Sequence, residues 1–529
     1  MRIQALWSIR NEDLTADCCI VGSGPAGLTV ARELAGSGLD VLLLESGGLE
    51  EEATSTSLNE TENVGAPREP ELEGKRNRIL GGTSHTWSGR SVVFDPIDFA
   101  PRPWVPHSGW PITRDSLAPY FVRSQEHLGA PVADNDDPGF VRSVTAGTPE
   151  LDPANLEPYA WALSRDAANP GDSTRFGPRA LAEPMPGVRA LTDATVVGIE
   201  LSADRSVVEA LRVSTAGGDV RRVEARLFVL AGGAIENARM LLASQVGTGY
   251  DQVGRYLMDH LRGPVAVFSP DAHARLQRLF GNRKLPGGGT ATPGFALSPA
   301  AQEREQLTNC AAWLFPTKAP DDPFTRLAAA RRDPASAVKA AVRHAPMLAE
   351  GALRIAALHR APVRSLTALE LHTIVEQRPD PESRVRLAER RDALGVPISR
   401  IDWHVDEQEM RTVERTRAFV VDALAAAGLP TPRPLPLRRE DGSFALPDVA
   451  HPMGTTRMSA SPEDGVVDVD CAVHGVRNLF IAGSSVFPTG GHANPTQLIV
   501  ALAVRLADEI RRRLAEDASV VPTRDAAGD

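Results

Sequence analysis

Cysteine is scarce in this chain: 529 residues carry four, Cys18, Cys19, Cys310 and Cys471, and none belongs to a CxxC pair. A disulfide framework and a thiolate metal centre are therefore not expected, and a reducing compartment is the simpler setting. No stretch approaches 18 uninterrupted apolar residues, so no membrane span is expected. The opening MRIQALWSIRNEDLTADCCIVG lacks the apolar core and small-residue cleavage site of a secretory signal, which makes a cytoplasmic location the expectation. Basic excess is also missing. The formal net charge is −11, with acids and bases interleaved, so neither nucleic acid nor anionic lipid is an expected partner. Local arginine groups such as Arg326, Arg331 and Arg332 read as the wet face of a helix. The histidines are scattered, with neither HExxH nor a tight carboxylate–histidine group, and no metal site is expected.

What is present is a long chain with 42% hydrophobic residues, enough for two packed cores and hence two domains. An apolar run at 17–21 leads into GSGPAGLTVARELAGSG and then DVLLLE at 40–45, a pattern that predicts strand, tight turn, helix over about 25–35 and second parallel strand. Beyond Gly47 the pattern dissolves into a polar stretch, read as a loop or ordered excursion without a core face. ILGGTSHTWSGR follows at 79–90. A helix is predicted over 114–128, strands over 188–201 and 207–214, and another strand, glycine turn and helix in RLFVLAGGAIENARMLLAS. Residues 261–448 read as mixed, with helical material over 324–358, strands near 371–377 and 400–406, and a long helix over 407–427. NLFIAGSSVFP and HANPTQLIVALAVRLADEIRRRLAE supply a last core strand and a last helix, with a frayed tail after Ala515. Sheet-forming sequence thus lies at the start, middle and end, and the segments between it form a second layer over a natural cleft.

Gly22, Gly24 and Gly27 spell GxGxxG between a strand and a helix. The first glycine permits the turn, the second admits a pyrophosphate close to the backbone, and the third allows tight helix packing. Free N–H groups at the helix start, with Ser23, Pro25 and Ala26 beside them, favour the diphosphate. Glu45, 23 residues after Gly22, closes the second strand, where it can accept hydrogen bonds from an adenosine ribose and repel a 2'-phosphate. This combination predicts a dinucleotide. It does not distinguish NAD from FAD.

Taken together, GSGPAGLTVARELAGSGLDVLLLESG, GGTSHTWSG, LAGGAIENARMLL, HPMGTTRM and NLFIAGSSVFPTGGHANPTQ resemble the glucose-methanol-choline (GMC) oxidoreductases, flavoenzymes that oxidise alcohols, over nearly the whole chain. HPMGTTRM, GGHANPTQ, GWPI and VEQRPDPESRV are most similar to the branch of pyranose oxidases, glycoside 3-oxidases and bacterial sugar or polyol dehydrogenases. The resemblance implies an α/β fold: a Rossmann-like FAD-binding domain assembled from 14–93, 187–260 and 449–515, and a mixed α+β substrate-binding domain with its own β-sheet from 94–186 and 261–448. Residues 516–529 are left as a flexible tail.

The same resemblance implies a catalytic pair, His451 in HPMGTTRM and Asn494 in HANPTQ, 43 residues apart. Imidazole can accept an alcohol proton while a carboxamide N–H holds the oxygen on which charge gathers. His492, two residues before Asn494, faces the same side if the backbone there is extended, though a loop-capping role fits equally. His451, His492, Asn494 and Gln377 form the expected substrate contacts. Gly81, Gly82, Thr83, Ser84, Trp87 and Ser88 would run beside the flavin ring, and Ser46 and Arg78 are further expected cofactor contacts. Val196, Ala231, Gly232 and Asn237 would serve the adenosine end, and Gly483, Ser484, Asn494 and Thr496 the ribitol and ring. Pyranose oxidases of fungal type carry FAD covalently on the histidine of an STHW block. Here the order is SHTW, which displaces His85 by one residue and puts Thr86 in its place, so noncovalent FAD is expected unless a bulge restores His85.

The implied activity is oxidation of a secondary hydroxyl of a sugar or glycoside, at C2 or C3, to a ketone by proton abstraction and hydride transfer to flavin N5. Oxygen is slightly favoured over another electron acceptor. Trp87, Trp104, Trp110 and Trp313 offer stacking surfaces or core packing. An NAD-dependent dehydrogenase, a flavin dehydrogenase using another acceptor, and a noncatalytic flavin-binding protein remain as alternatives.

Overall fold

The computed structural model describes residues 1–9, 14–68, 75–169, 171–215, 218–285, 289–330 and 333–520. Its architecture is α/β, organised around two eight-stranded sheets and a three-stranded one. In the first sheet, Leu14–Val21 lies between Val41–Leu44 and Val220–Leu230, all parallel. Val188–Thr192, Arg2–Ala5 and Leu479–Ile481 extend the parallel part. The antiparallel strands Val208–Ser214 and Thr195–Leu201 close one side. Val41–Leu44 is buried along its whole length, as a strand covered on both faces must be.

The helix Pro25–Leu34 buries Leu28, Val30, Ala31 and Leu34 and packs against the C-terminal helix Thr496–Val520. Proline at its first turn costs no hydrogen bond there, because that N–H has no intrahelical partner. Thr496–Val520 extends five residues beyond the expected end at Ala515, and the remainder of the expected tail, 521–529, lies outside the described residues.

The second sheet has the order Arg433–Pro434, Leu261–Val267, Leu366–Val375, Cys310–Lys318, Thr290–Leu297, Leu156–Leu163, Arg90–Ser91, with antiparallel neighbours; Arg283–Lys284 pairs on Thr290–Leu297. The long helix begins at Glu407 behind a reciprocal cap, in which Asp406 accepts from the first turn and Glu409 returns to the Asp406 N–H. The expected helical material over 324–358 is three helices, Pro323–Ala328, Pro334–Arg343 and Ala345–Ala356, with prolines near their starts. Arg331 and Arg332 lie outside the described residues.

Two expectations need correction. The polar stretch after Gly47 is not wholly loop: Thr61–Gly65 pairs in parallel with Pro397–Trp403. Its side chains show no alternation because backbone hydrogen bonds, rather than an apolar face, hold it there. The buried apolar residues also form one cluster running through both large sheets, beside a small satellite of Val144, Ala160, Leu285 and Ala291, rather than two separate packed cores. All four cysteines are buried and unpaired. No helix among the described residues is long and apolar enough to cross a membrane.

Candidate active site

Four parallel strands end at one edge of the first sheet. Each is followed by a turn, at Gly22, Glu45, Ala231 and Ala482, and all four turns line one cleft of about 440 Å³. A crevice at the carboxyl ends of parallel strands is where this architecture receives a nucleotide.

The glycines there have different duties. A Cβ on Gly27 would stand 1.9 Å from the Gly22 carbonyl oxygen, so this residue permits helix and turn to pack. Gly22 sits at φ +100°, where a Cβ would meet the Ala231 carbonyl at 2.6 Å. Gly24 lines the cleft with nothing within 4 Å of its Cβ direction. Its missing side chain keeps open the space in which a pyrophosphate meets the helix N-terminus, so this cradle fits a dinucleotide.

Glu45 is buried and lines the same cleft. It accepts hydrogen bonds from the Ser23 N–H (2.9 Å), the Ser23 hydroxyl (2.5 Å) and the Gly47 N–H (2.9 Å). Burial raises its pKa against these bonds, which favour the carboxylate. Three acceptor positions are filled and one remains for a ribose hydroxyl.

Of the remaining expected cofactor residues, Ser23, Pro25, Ala26, Ser46, Arg78, Gly82, Thr83, Trp87 and Ser88 line the cleft. So do Val196, Ala231, Gly232, Asn237, Gly483, Ser484, Asn494 and Thr496. Asn237 accepts from the Gly232 N–H at 2.9 Å and donates to the Ser485 hydroxyl at 3.0 Å, joining two turns from distant parts of the chain. Arg78 donates to Ser46 and Asn59 and pairs with Glu236 at 3.0 Å, so protein acceptors already hold much of its guanidinium.

Several expected residues lie elsewhere. Gly81 packs its bare α-carbon on the Gly177 backbone, 2.4 Å from where a Cβ would stand. Ser84 donates to the Gly81 carbonyl and accepts from the Phe176 N–H, which uses its hydroxyl within the protein. His85 Nε2 lies 2.9 Å from the Leu80 carbonyl, while Thr86 lines the cleft. His492 is fully buried behind the cleft against Tyr159, ring centroids 4.8 Å apart; its loop is not extended, so it does not share the facing of Asn494. Gln377 is also buried, accepting from the Asp259 N–H and the Trp403 indole and donating to the His404 carbonyl. It braces the segment that carries His260, just before the strand Leu261–Val267, and does not line the cleft. Trp87 is the one tryptophan of the four on the cleft; Trp104 and Trp110 donate to Leu307 and Thr489, and Trp313 is buried in the second sheet.

His451 and Asn494 both line the cleft. Ala450 precedes the histidine at φ +58°, a left-handed conformation unusual for alanine. Asp259 stabilises this placement by accepting from the His451 and His260 N–H groups at 2.9 and 2.8 Å. His260 was not anticipated from sequence, since 191 residues separate it from His451. Its Nε2 lies 2.9 Å from the Gly491 carbonyl oxygen, and its Nδ1 lies 3.0 Å from Nδ1 of His451.

A carbonyl only accepts, so His260 carries its proton on Nε2 and presents a bare Nδ1. His451 must then donate from Nδ1, which leaves the lone pair on its Nε2. Burial lowers the pKa of His260 to about 4. Burial, then the neighbouring His260 and Arg262, hold His451 well below its usual value. Both rings are therefore neutral near pH 7.

The profile of GMC oxidoreductases matches residues 379–503, and that of FAD-dependent oxidoreductases matches residues 17–347, more than half of the chain. The chain belongs to the FAD-dependent oxidoreductases, and over residues 379–503 it is similar to the GMC oxidoreductases. One relative is the 6'''-hydroxyparomomycin C oxidase of Streptomyces lividus, 27% identical over 96% of this chain and 93% of that protein. Another is the C-glycoside 3-oxidase of Arthrobacter globiformis, 27% identical over 75% of this chain and 65% of that one. A solved structure of formate oxidase superposes with a TM-score of 0.58 at 17% identity, covering 96% of this chain and 100% of the other, which shows the common fold.

The profile match specifies FAD, and the glycine cradle has room for the pyrophosphate of such a dinucleotide. Gly24→Ala is expected to leave the melting temperature of the apoprotein within a few degrees of wild type while weakening FAD retention at least tenfold, read by flavin absorbance after dialysis. Gly27→Ala forces the helix away from the Gly22 carbonyl and is expected to cost about 1–3 kcal/mol of fold stability, read by denaturant unfolding of the apoprotein.

Proposed function

We propose that this chain oxidises a secondary hydroxyl of a sugar or glycoside, at C2 or C3, to a ketone, with noncovalently held FAD and dioxygen as the final acceptor. The observation that carries the reading is the chain of contacts from the Gly491 carbonyl through His260 to His451 Nδ1, which leaves Nε2 of His451 as its basic nitrogen, in the cleft that Asn494 also lines. The names of the two oxidase relatives support a carbohydrate substrate, and the C-glycoside 3-oxidase supports a ring hydroxyl. The engagement of His85 with the Leu80 carbonyl supports noncovalent cofactor.

Bound FAD would supply the hydride acceptor, held by the Gly22–Gly27 turn, Glu45 and the start of the last helix. Neutral His451 takes the hydroxyl proton at Nε2. Asn494 donates an N–H to the same oxygen and resists the charge that gathers there as the proton leaves. Asn494 is buried and His451 half-buried in the cleft, where less water competes for their hydrogen bonds. Overall, R₂CHOH and O₂ give R₂C=O and H₂O₂.

The first test is an anaerobic absorbance titration of the purified flavoprotein with methyl β-D-glucoside and a panel of O- and C-glycosides. Bleaching of the flavin, followed by peroxide production on admitting air, is expected; an unchanged spectrum across the panel sinks the sugar reading. His451→Ala should lower kcat by about 10²–10⁴-fold.

His260→Ala should lower kcat by roughly tenfold or more with little change in KM, since His451 is no longer held in the productive tautomer. His260→Asn, whose Oδ1 overlies the lost imidazole Nδ1, should recover most of that loss. Because His451 is held below 6.5, its base form persists as the pH falls through that value. The kcat/KM profile should therefore stay flat down to pH 6.5 and decline only at lower pH, and a limb centred at 6.5 or above would remove His451 as the base.

A further inference from the structure

Two arginines that the sequence did not single out, Arg90 and Arg262, line the same cleft as His451 and Asn494. They rise from opposite parts of the second sheet, Arg90 in its short edge strand and Arg262 in Leu261–Val267, and converge over Trp313. The guanidinium carbons lie 4.6 and 5.2 Å from that ring. Arg90 is also 5.5 Å from the ring of Trp161.

Neither arginine forms an ion pair with a described residue. Burial and the neighbouring Arg262 lower the pKa of Arg90 to about 9, and burial lowers that of Arg262. Arg90 Nη1 and the indole nitrogens of Trp161 and Trp313 are buried without a hydrogen-bond partner among the described residues, as are Tyr159 Oη and His372 Nδ1 beside those rings. Attraction to the tryptophan faces offsets only part of the cost of bringing two like charges together out of water. The missing component is negative charge with several acceptor oxygens, and the cleft is its route of entry.

We infer that Arg90 and Arg262 form an oxyanion subsite, so that the alcohol oxidised at His451 carries a carboxylate or phosphate elsewhere on the molecule. This rests on the sugar-oxidation reading and specifies its substrate class. Planar guanidiniums suit the paired oxygens of such groups. An amino sugar bearing an ammonium group would instead meet two like charges.

The test compares methyl β-D-glucuronide, glucose 6-phosphate, methyl β-D-glucoside and glucosamine as ligands and substrates of the FAD-loaded enzyme. At low ionic strength, calorimetry should show the glucuronide or the phosphate ester binding at least tenfold more tightly than the glucoside, with glucosamine weakest; which anion leads identifies the group. The ratio of kcat/KM for the preferred anion to that for the glucoside should follow the same order. Arg262→Gln and Arg90→Gln should each bring the binding ratio towards one, whereas Arg262→Lys should retain part of it. Equal binding of charged and neutral sugars by the wild type overturns the subsite, as does an anion preference that survives both glutamine substitutions. Failure of every sugar to bleach the flavin counts against the sugar reading alone, because calorimetry decides the oxyanion subsite without turnover.

Discussion

A parallel sheet directs all its strand ends the same way, and the site depends on that constraint. The strands ending at Val21 and Leu44 belong to one local unit and those ending at Leu230 and Ile481 lie far along the chain, yet the turns of all four must leave from one edge. Backbone N–H groups and close-packed carbonyls therefore converge before any catalytic side chain is considered. Gly22 and Gly27 meet the steric demand of that convergence, while Gly24 leaves room in it. Asn237 and Ser485 then join two of the turns, so that movement of one is felt by the other.

The second sheet supplies the complementary half. Its strands approach from sequence remote from the glycine turn, and Asp259 joins the two halves by holding the backbones of His260 and His451 with one carboxylate oxygen. Gln377 supports the same segment through the Asp259 N–H. Removing a backbone anchor of this kind alters the direction of an imidazole without changing its identity. The placement of His451 thus depends on groups that do not line the cleft.

Legibility in the sequence followed the range of the interactions. GxGxxG and Glu45 were readable because their geometry is made within one strand–turn–helix–strand unit. That His451 and Asn494 share one cleft was readable through the family resemblance, which carries a long-range relation that spacing alone does not. His260 escaped because its role arises from an imidazole 191 residues away and a carbonyl on a third segment. Arg90 and Arg262 escaped for a related reason: in sequence they resemble any strand arginine, and only pairing of the second sheet brings both over Trp313. His492 was misjudged because alternation applies to extended backbone, and its loop turns the ring onto Tyr159. Gln377 was misjudged because a polar residue next to a strand end says nothing about which side of the sheet receives it.

The arginine pair and the histidine pair are electrically linked. Burial, then His260 and after it Arg262, hold the His451 pKa down. This keeps the imidazole unprotonated and also makes it a weaker base. An oxyanion seated on Arg262 cancels part of that positive field, so His451 becomes more basic when the substrate is in place. The free enzyme keeps its base neutral, and the complex gives it a stronger pull on the hydroxyl proton. A neutral sugar of the same shape leaves the field of Arg262 intact. Discrimination between the two therefore extends beyond binding into the proton-transfer step, through a charge on the substrate that takes no part in the bond being broken.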